Sequence, residues 1–226
     1  MKKDQPLKIL LCAVEPSGDA LGASLMASLR KHSSSEIEFI GCGGPKMLEA
    51  GLTTSFDVDA FAVIGPVGAL KAAPLAYHRA NQLATLAKTN RVDIAVLIDS
   101  WSFSKIIAAA LKKKSPDTVR VKYIAPQVWA SRPKRADDVR ALFDGVLTLF
   151  SFEEAWFKGA AAKVCHVGNA IYQDAYDNKT DGVQFRKKNN IGNAPLLAIA
   201  PGSRAGELRR LVPIYGEALS LSLIHI

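Results

Sequence analysis

Short apolar runs that alternate with longer amphipathic stretches restrict the fold of this sequence more than any other feature. The apolar runs predict strands at residues 8–14, 38–41, 94–98, 121–124, 145–149, 163–167 and 196–200. Helical spacing of apolar residues predicts helices at residues 19–31, 74–88, 103–113, 134–142, 152–158 and 206–220. Because strands that alternate with helices are typical of βαβ units, the sequence predicts an α/β fold with a Rossmann-like parallel sheet.

A polar segment interrupts this alternation near the end of the chain. Residues 173–195 are rich in Asp, Asn, Lys and Gly and poor in large apolar residues, which is typical of a linker. We therefore expect a first domain over residues 1–172 and a linker over residues 173–195. The start of a second Rossmann-like domain is expected over residues 196–220.

Composition excludes several classes of protein. A chain that is 49% hydrophobic and 22% charged has enough apolar material for a core and is not disordered. Cys12, Cys42 and Cys165 form no CxxC motif and have no His at ligand spacing, so reduced cytosolic thiols are expected, without a metal site. Glu15 and Asp19 interrupt the first apolar run, and no run approaches the roughly 20 residues that span a bilayer.

The net charge of +8 is concentrated in the middle of the chain, where residues 101–150 hold ten Lys and Arg against four Asp and Glu. Such a block attracts the phosphates of nucleic acid, anionic lipid or a phosphorylated substrate. Nine of these ten cations are the candidates for that role: Lys112, Lys113, Lys114, Arg120, Lys122, Arg132, Lys134, Arg135 and Arg140. No nucleic-acid-binding module is recognisable, so a nucleic-acid partner is not expected, and a solvated basic face remains an alternative.

Two loops near the start of the chain are candidates for ligand binding, because open parallel sheets bind ligands beyond the carboxyl ends of their strands. Residues 15–19, Glu-Pro-Ser-Gly-Asp, lack both the GxGxxG pattern and a Walker lysine. Ser17 and the following helix start can hold an oxygen-rich ligand, or Ser17 and Asp19 can be ordinary helix caps. Gly43 and Gly44 allow a close approach of the backbone to a ligand, although a structural turn explains them equally well.

Asp99 directly follows the predicted strand 94–98 and is a candidate general base for a sugar hydroxyl. Its alternative role is to cap a helix that begins near Ser102. The segment after the next strand brings together an amide (Gln127), an aromatic face (Trp129) and a cation (Arg132), a combination that suits a phosphorylated saccharide. Trp129 can equally be a core residue.

Residues 201–207, Pro-Gly-Ser-Arg-Ala-Gly-Glu, carry the strongest phosphate-binding pattern in the chain. Gly202 permits close approach, Ser203 supplies a hydroxyl, and Arg204 can hold a diphosphate at a helix start. The alternative is a simple turn with an exposed arginine.

In this order the segments resemble the lipid-A-disaccharide synthase family of bacterial glycosyltransferases, from about residue 7 to residue 219. The family pattern Gly-Glu-x-Ser-Gly-Asp is similar to residues 14–19, and Gly-x-Gly-Gly-Pro-x-Met is similar to residues 41–47. The Ile-Asp strand end matches residues 98–99, Ser-Pro-Gln-Val-Trp-Ala matches residues 125–130, and Pro-Gly-Ser-Arg-x-x-Glu matches residues 201–207.

The resemblance implies a GT-B enzyme with two Rossmann-like domains, no metal or cofactor, and inversion at the anomeric carbon. The implied substrates are UDP-2,3-diacylglucosamine and 2,3-diacylglucosamine 1-phosphate (lipid X). Asp99 is then the expected base, and the UDP diphosphate is expected at Gly202, Ser203, Arg204 and Glu207. Substrate contacts are implied for Glu15, Ser17, Gly18, Asp19, Gly43, Gly44, Gln127, Trp129 and Arg132.

The resemblance also implies a peripheral position on the cytoplasmic face of the inner membrane, where the basic block meets anionic lipid, and allows a homodimer. Apolar residues 61–75 are candidates for acyl-chain or membrane contact, with core packing as the alternative. The sequence departs from the family pattern at Gly68, Trp101, Ser104, Ser131 and Asn169.

The family's second domain is expected to continue beyond the helix 206–220, so we expect a truncated chain, inactive alone, whose last elements expose apolar surface. Residues 221–226 resemble a translated sequencing adapter and are expected to be foreign. The alternatives are another GT-B enzyme acting on UDP-N-acetylhexosamine, such as an epimerase or a peptidoglycan glycosyltransferase, and a non-catalytic module that binds a sugar nucleotide or lipid.

Overall fold

Seven strands pair in parallel to form one sheet in the computed structural model, which describes residues 5–54, 68–158, 163–177, 181–202 and 205–225. The order across the sheet is β3-β2-β1-β4-β5-β6-β7. The strands are β1 (Leu7–Cys12), β2 (Ile37–Cys42), β3 (Thr53–Thr54), β4 (Ile94–Ile98), β5 (Val119–Tyr123), β6 (Gly145–Thr148) and β7 (Lys163–His166). The predicted Rossmann-like parallel sheet is confirmed.

Helices connect the strands, as expected of parallel pairing. They are α1 (Pro16–His32), α2 (Pro45–Glu49), α3 (Gly68–Asn90), α4 (Trp101–Lys114), α5 (Arg135–Leu142), α6 (Glu154–Phe157), α7 (Ala170–Asp177), α8 (Gly182–Lys188) and α9 (Ala205–His225). A 3₁₀ turn, Ser151–Glu153, precedes α6. Of the described helices, none is long and apolar enough to cross a membrane.

The central strands are buried on both faces of the sheet, which explains their continuous apolar runs. Along β1, Leu10 packs into a cluster with Leu83 of α3 and Ile107 of α4. Its neighbours Ile9 and Leu11 belong to the opposite cluster, which includes Met26 of α1. Alternate residues of one strand therefore anchor helices on both sides.

The strand order reverses between β1 and β4. From β1 the chain moves to β2 and β3 on one side of the sheet, whereas β4 to β7 continue on the other side. The connections that leave β1 and β4 consequently diverge, and in open α/β sheets the crevice between two such connections, at the carboxyl ends of the strands, is where ligands bind.

The chain divides into two compact units, Met1–Asp174 and Ala175–Ile226. In the second unit, Asp181 caps α8 by accepting a hydrogen bond from the Val183 N–H at 2.8 Å. Arg186 then donates to the carbonyls of Gly192 and Ala194, both at 2.9 Å. The predicted linker 173–195 thus contains a helix that hydrophobic periodicity does not reveal, because no residue of α8 is buried.

The strand predicted at residues 196–200 does not form. A strand needs a hydrogen-bonded neighbour, and none of the described strands pairs with this segment. Leu196, Leu197 and Ile199 remain exposed, as do Val212 and Ile214 of α9. The expectation that the last elements expose apolar surface is confirmed, whereas α9 continues to His225 instead of ending at residue 220.

Candidate active site

The crevice between β1 and β4 brings two of the predicted site residues together. Gly18 lies at the start of α1 and is buried against the end of β4. A Cβ placed on Gly18 would lie 3.6 Å from a methyl carbon of Ile98 and 3.9 Å from the Cβ of Asp99. These are ordinary van der Waals distances, so the start of the first helix packs directly against the turn that carries Asp99.

Asp99 and Ser100 form a left-handed turn between β4 and α4, with φ angles of 49° and 35°. Ile124, at the end of the neighbouring strand, also has a positive φ of 65°. Left-handed backbone is unfavourable for residues with a Cβ, above all for a β-branched one, and it concentrates at functional sites. The strain marks the edge formed by β4 and β5 as the centre of the candidate site.

The Asp99 side chain does not cap α4. Ser100 is the N-cap residue of that helix, and its side chain makes no capping hydrogen bond. The Asp99 N–H donates to the Tyr123 carbonyl at 3.0 Å, and the Asp99 side chain is partly exposed at the mouth of the crevice. The capping alternative is thus wrong, and the role of general base stays a prediction.

Lys122 lies directly beneath this turn, with only 1% of its surface exposed. Its ammonium donates to the carbonyls of Leu97 (3.1 Å) and Asp99 and to the hydroxyl of Ser104 (3.1 Å). Burial lowers its pKa from the usual 10.5 to about 7, a shift that the Asp99 carboxylate and the Cys12 thiol oppose. Lys122 is therefore no surface cation, and its place in the phosphate-attracting block is wrong.

Arg120 is likewise not one of the exposed cations that could attract a phosphate. Its guanidinium donates to the Asp144 carboxylate at 2.8 Å and to the Leu142 carbonyl at 3.0 Å, and the residue is 8% exposed. Because its charge is used inside the protein, Arg120 does not attract a ligand. Lys112, Lys113, Arg132 and Lys134 do lie on the surface.

Asp19 has a structural role that its sequence position does not reveal. Although it lies within α1, its two carboxylate oxygens accept hydrogen bonds from the N–H groups of Lys46 and Met47, both at 3.0 Å. The carboxylate thereby caps α2 across the loop, and Asp19 is 5% exposed. Contact of Asp19 with a substrate stays a prediction, as it does for Glu15 and Ser17.

The two glycines before α2 make room for these contacts. A Cβ on Gly44 would lie 2.7 Å from an Asp19 carboxylate oxygen, and a Cβ on Gly43 would lie 2.7 Å from the sulfur of Met47. Both distances are too short for any larger residue. Contacts within the protein are therefore sufficient to explain why residues 43 and 44 are glycines.

Glu153, which no sequence pattern singled out, holds the side chain of Trp129 in place. Its indole Nε1–H donates to Glu153 Oε1 at 3.2 Å, and the other Glu153 oxygen accepts from the N–H groups of Leu149 and Phe150, both at 3.1 Å. Glu153 is 4% exposed, whereas Trp129 is 41% exposed. Trp129 is thus an oriented surface residue, and its reading as a core residue is wrong.

Aromatic rings surround Trp129 at the carboxyl ends of β5, β6 and β7. Phe152 meets Trp129 edge to face at 5.3 Å between ring centres and stacks on Phe150 at 5.7 Å. Tyr172 of α7 lies 6.4 Å from Phe150. We call Trp129, Phe150, Phe152 and Tyr172 the aromatic platform, and such a surface can bind a sugar ring or an acyl chain.

The remaining predicted residues lie in two places. Gln127 and Arg132 are exposed in the loop that also carries Trp129, and the Gln127 carbonyl accepts from the Ala130 and Ser131 N–H groups at 3.2 Å. Gly202 has a φ of 99° and its Cβ position would lie 3.0 Å from the Cβ of Glu207, in the second unit. Ser203 and Arg204 lie outside the described residues, as do residues 61–67 of the predicted membrane contact.

Two departures from the family pattern have structural explanations. Asn169 accepts a hydrogen bond from the Ile171 N–H at 3.0 Å and so caps α7. Ser104 donates to the Asp99 carbonyl at 2.8 Å.

Across the described residues, no three His, Cys, Asp or Glu side chains are grouped to hold a metal ion.

Comparison with known proteins identifies one family. The family model described as "Lipid-A-disaccharide synthetase" matches residues 9–223. A lipid-A-disaccharide synthase from Paramagnetospirillum magneticum is 38% identical over 94% of this chain and 55% of its own length. A second from Ruegeria pomeroyi is 37% identical over 94% of this chain and 53% of its length. The chain therefore spans about half the length of the curated relatives it matches.

A solved structure has the same fold. The UDP-GlcNAc 2-epimerase from Neisseria meningitidis, crystallised with UDP-GlcNAc, superposes with a TM-score of 0.51 over 84% of this chain and 55% of the epimerase chain. The sequence identity is 8%, so the likeness concerns the fold alone.

The contacts of Glu153 predict that Glu153→Gln destabilises the first unit by about 1–3 kcal/mol, because an amide cannot accept all three hydrogen bonds. Urea denaturation measures this loss, and the indole N–H resonance of Trp129 should shift. Glu49→Gln is the matched control, since Glu49 is exposed on α2. Equal stability of the Glu153→Gln and Glu49→Gln variants would contradict the assigned role.

The lowered pKa of Lys122 predicts that its burial destabilises the fold below about pH 7 and that this penalty disappears as the pH rises towards 10.5. The unfolded chain binds the proton throughout that interval, so wild type should gain stability relative to Lys122→Met, by at most about 5 kcal/mol. Unfolding free energies of both proteins between pH 6 and 10 measure the difference. A difference independent of pH would contradict the lowered pKa.

Proposed function

Since the chain belongs to the lipid-A-disaccharide synthetase family, whose model matches residues 9–223, we propose that it forms the acceptor-binding part of a GT-B glycosyltransferase. The proposed reaction moves 2,3-diacylglucosamine from its UDP derivative to the 6-hydroxyl of lipid X. The acceptor oxygen bonds to the anomeric carbon with inversion, the bond to UDP breaks, and the hydroxyl proton passes to a base.

The position of Asp99 is the observation that supports this proposal most. Its partly exposed side chain lies at the carboxyl end of β4, beside the strand-order reversal and within reach of α1. In this proposal the carboxylate accepts the proton of the acceptor hydroxyl as the glycosidic bond forms. No metal or cofactor takes part in the proposed step.

The aromatic platform supplies the proposed contact for the acceptor. Trp129 presents an oriented ring face to a glucosamine unit, while the more exposed rings of Phe152 and Tyr172 suit acyl chains. Gln127 and Arg132, on the same loop as Trp129, are assigned to the sugar and its phosphate. Glu15, Ser17 and Gly18 are assigned to acceptor hydroxyls across the crevice.

The proposal also includes sites for the UDP-sugar donor and for the membrane surface. Gly202, Ser203, Arg204 and Glu207 are assigned to the UDP diphosphate. The exposed cations Lys112, Lys113 and Lys134 would hold the enzyme at the anionic cytoplasmic face of the inner membrane, where acylated substrates reside. Association as a homodimer is part of the same proposal.

We expect no turnover of UDP-2,3-diacylglucosamine and lipid X by the 226-residue chain alone, since it spans about half the length of the relatives it matches. A sensitive assay for released UDP measures this, with the relative from Paramagnetospirillum magneticum as the positive control. Turnover by the chain that Asp99→Ala abolishes would contradict this expectation.

Binding of the acceptor tests the proposed site in the same chain. Wild type should bind lipid X at least about tenfold more tightly than 6-deoxy lipid X, because a hydrogen bond to a carboxylate contributes about 1.5–3 kcal/mol. Asp99→Ala should bind both acceptors equally, whereas Asp117→Ala, which changes an exposed residue before β5, should behave as wild type. Titration calorimetry in detergent measures the affinities.

Two outcomes of this experiment would contradict the proposed function. One is equal affinity of wild type for lipid X and its 6-deoxy analogue. The other is binding of unacylated glucosamine 1-phosphate as tight as that of lipid X, since the proposal assigns acyl chains to the aromatic platform.

A further inference from the structure

A charged side chain inside a parallel sheet requires an explanation, and Lys122 is such a residue. It lies opposite Leu97 in the register of β4 and β5 and is 1% exposed. Burying a lysine at such a position costs the free energy of removing its charge from water, a cost that an apolar residue of similar size would not carry. Its presence indicates a role for the ammonium group itself.

That ammonium is surrounded by oxygen atoms at the end of β4. It donates to the carbonyl of Leu97 at 3.1 Å, to the carbonyl of Asp99 and to the hydroxyl of Ser104 at 3.1 Å, and it lies 3.4 Å from the Tyr123 carbonyl. The contacts come from β4, from the β4–α4 turn, from α4 and from β5 itself. One side chain thus joins four parts of the chain that meet beneath the turn.

Further hydrogen bonds fix the turn to the same elements. Ser104 Oγ donates to the Asp99 carbonyl at 2.8 Å, so this oxygen receives two donors, one from α4 and one from β5. The Ser104 N–H donates to the Ser100 carbonyl at 2.9 Å. Lys122 and Ser104 together hold the left-handed backbone of residues 99 and 100, a conformation that residues with a Cβ rarely adopt.

We propose that Lys122 is a positioning residue for Asp99: its buried ammonium holds the carbonyl of the left-handed turn and thereby fixes the carboxylate at the mouth of the crevice. The role of the carboxylate rests on the proposed function, whereas the hold on the turn does not. Asp99 from the turn and Cys12 from β1 are the ionisable groups that act on Lys122. Ser104 and Tyr123 face it with neutral oxygens.

The first test measures the turn in the 226-residue chain, independently of any ligand. Lys122→Met should speed amide hydrogen exchange at Asp99 and Ser104 at least tenfold, without lowering global stability, because it removes a donor and a buried charge together. Lys105→Met is the control, since Lys105 lies on α4 with a partly exposed side chain paired to Asp138. Ser104→Ala removes the second donor and should speed exchange in the same direction.

Unchanged exchange at residues 99 and 104 in Lys122→Met would overturn the proposal. If Lys122→Met fails to fold, Ser104→Ala still decides, because it removes one donor to the Asp99 carbonyl and leaves the sheet intact. Faster exchange confined to these residues supports the hold on the turn.

The second test measures the consequence for Asp99. Lys122→Met should abolish the tenfold preference for lipid X over 6-deoxy lipid X, and it should cost nothing further in the Asp99→Ala background. Between pH 6 and 8 the preference of wild type should fall as Lys122 loses its proton, while that of Lys122→Met stays flat. An equal loss of affinity for both acceptors in Lys122→Met would indicate a merely structural role and overturn the proposal.

The two tests separate the two proposals. If wild type binds neither acceptor, the proposed function fails, and hydrogen exchange alone decides whether Lys122 holds the turn. If wild type prefers lipid X and Lys122→Met keeps that preference, the proposed function stands and the positioning role is wrong.

Discussion

The pairing of β1 with β4 is the interaction on which the rest of the first unit depends. These strands pair in parallel although about 80 residues separate them in the chain, and the strand order reverses at this point. Because the following helices diverge to opposite faces of the sheet, the backbone beyond both strands is left accessible. The accessible edge that the proposed site uses is therefore a consequence of topology, and its side chains determine which chemistry it can support.

Buried ionisable side chains shape the loops around that edge. Asp19 caps α2 from α1, Glu153 binds the N–H groups of Leu149 and Phe150, and Lys122 binds the carbonyls of residues 97 and 99. The backbone groups that they bind lie at the start of a helix, in a loop and at the end of a strand. The loops thus owe their conformations to hydrogen bonds from buried charged side chains.

Local patterns predict much of this fold and less of its site. The apolar run 94–98 predicts β4 with its observed ends, because the strand is buried on both faces and needs no distant information. Helix α8 escapes prediction because none of its residues is buried. The pattern at residues 196–200 predicts a strand that does not form, since a strand also requires a neighbouring backbone that local sequence does not specify.

The chemistry of a charged residue depends on where its backbone places it, and this explains the errors at the site. Lys122 and Lys112 belong to the same basic block in the sequence, yet one lies inside the sheet and the other on the surface. Asp99 and Asp19 both lie next to predicted ligand-binding loops, but only Asp99 leaves its carboxylate partly exposed beyond a strand end. A buried charge acts on the protein around it, whereas an exposed one is accessible to a ligand, which is the role that we propose for Asp99. The edge of the sheet therefore uses both kinds, with Lys122 below the turn and Asp99 above it.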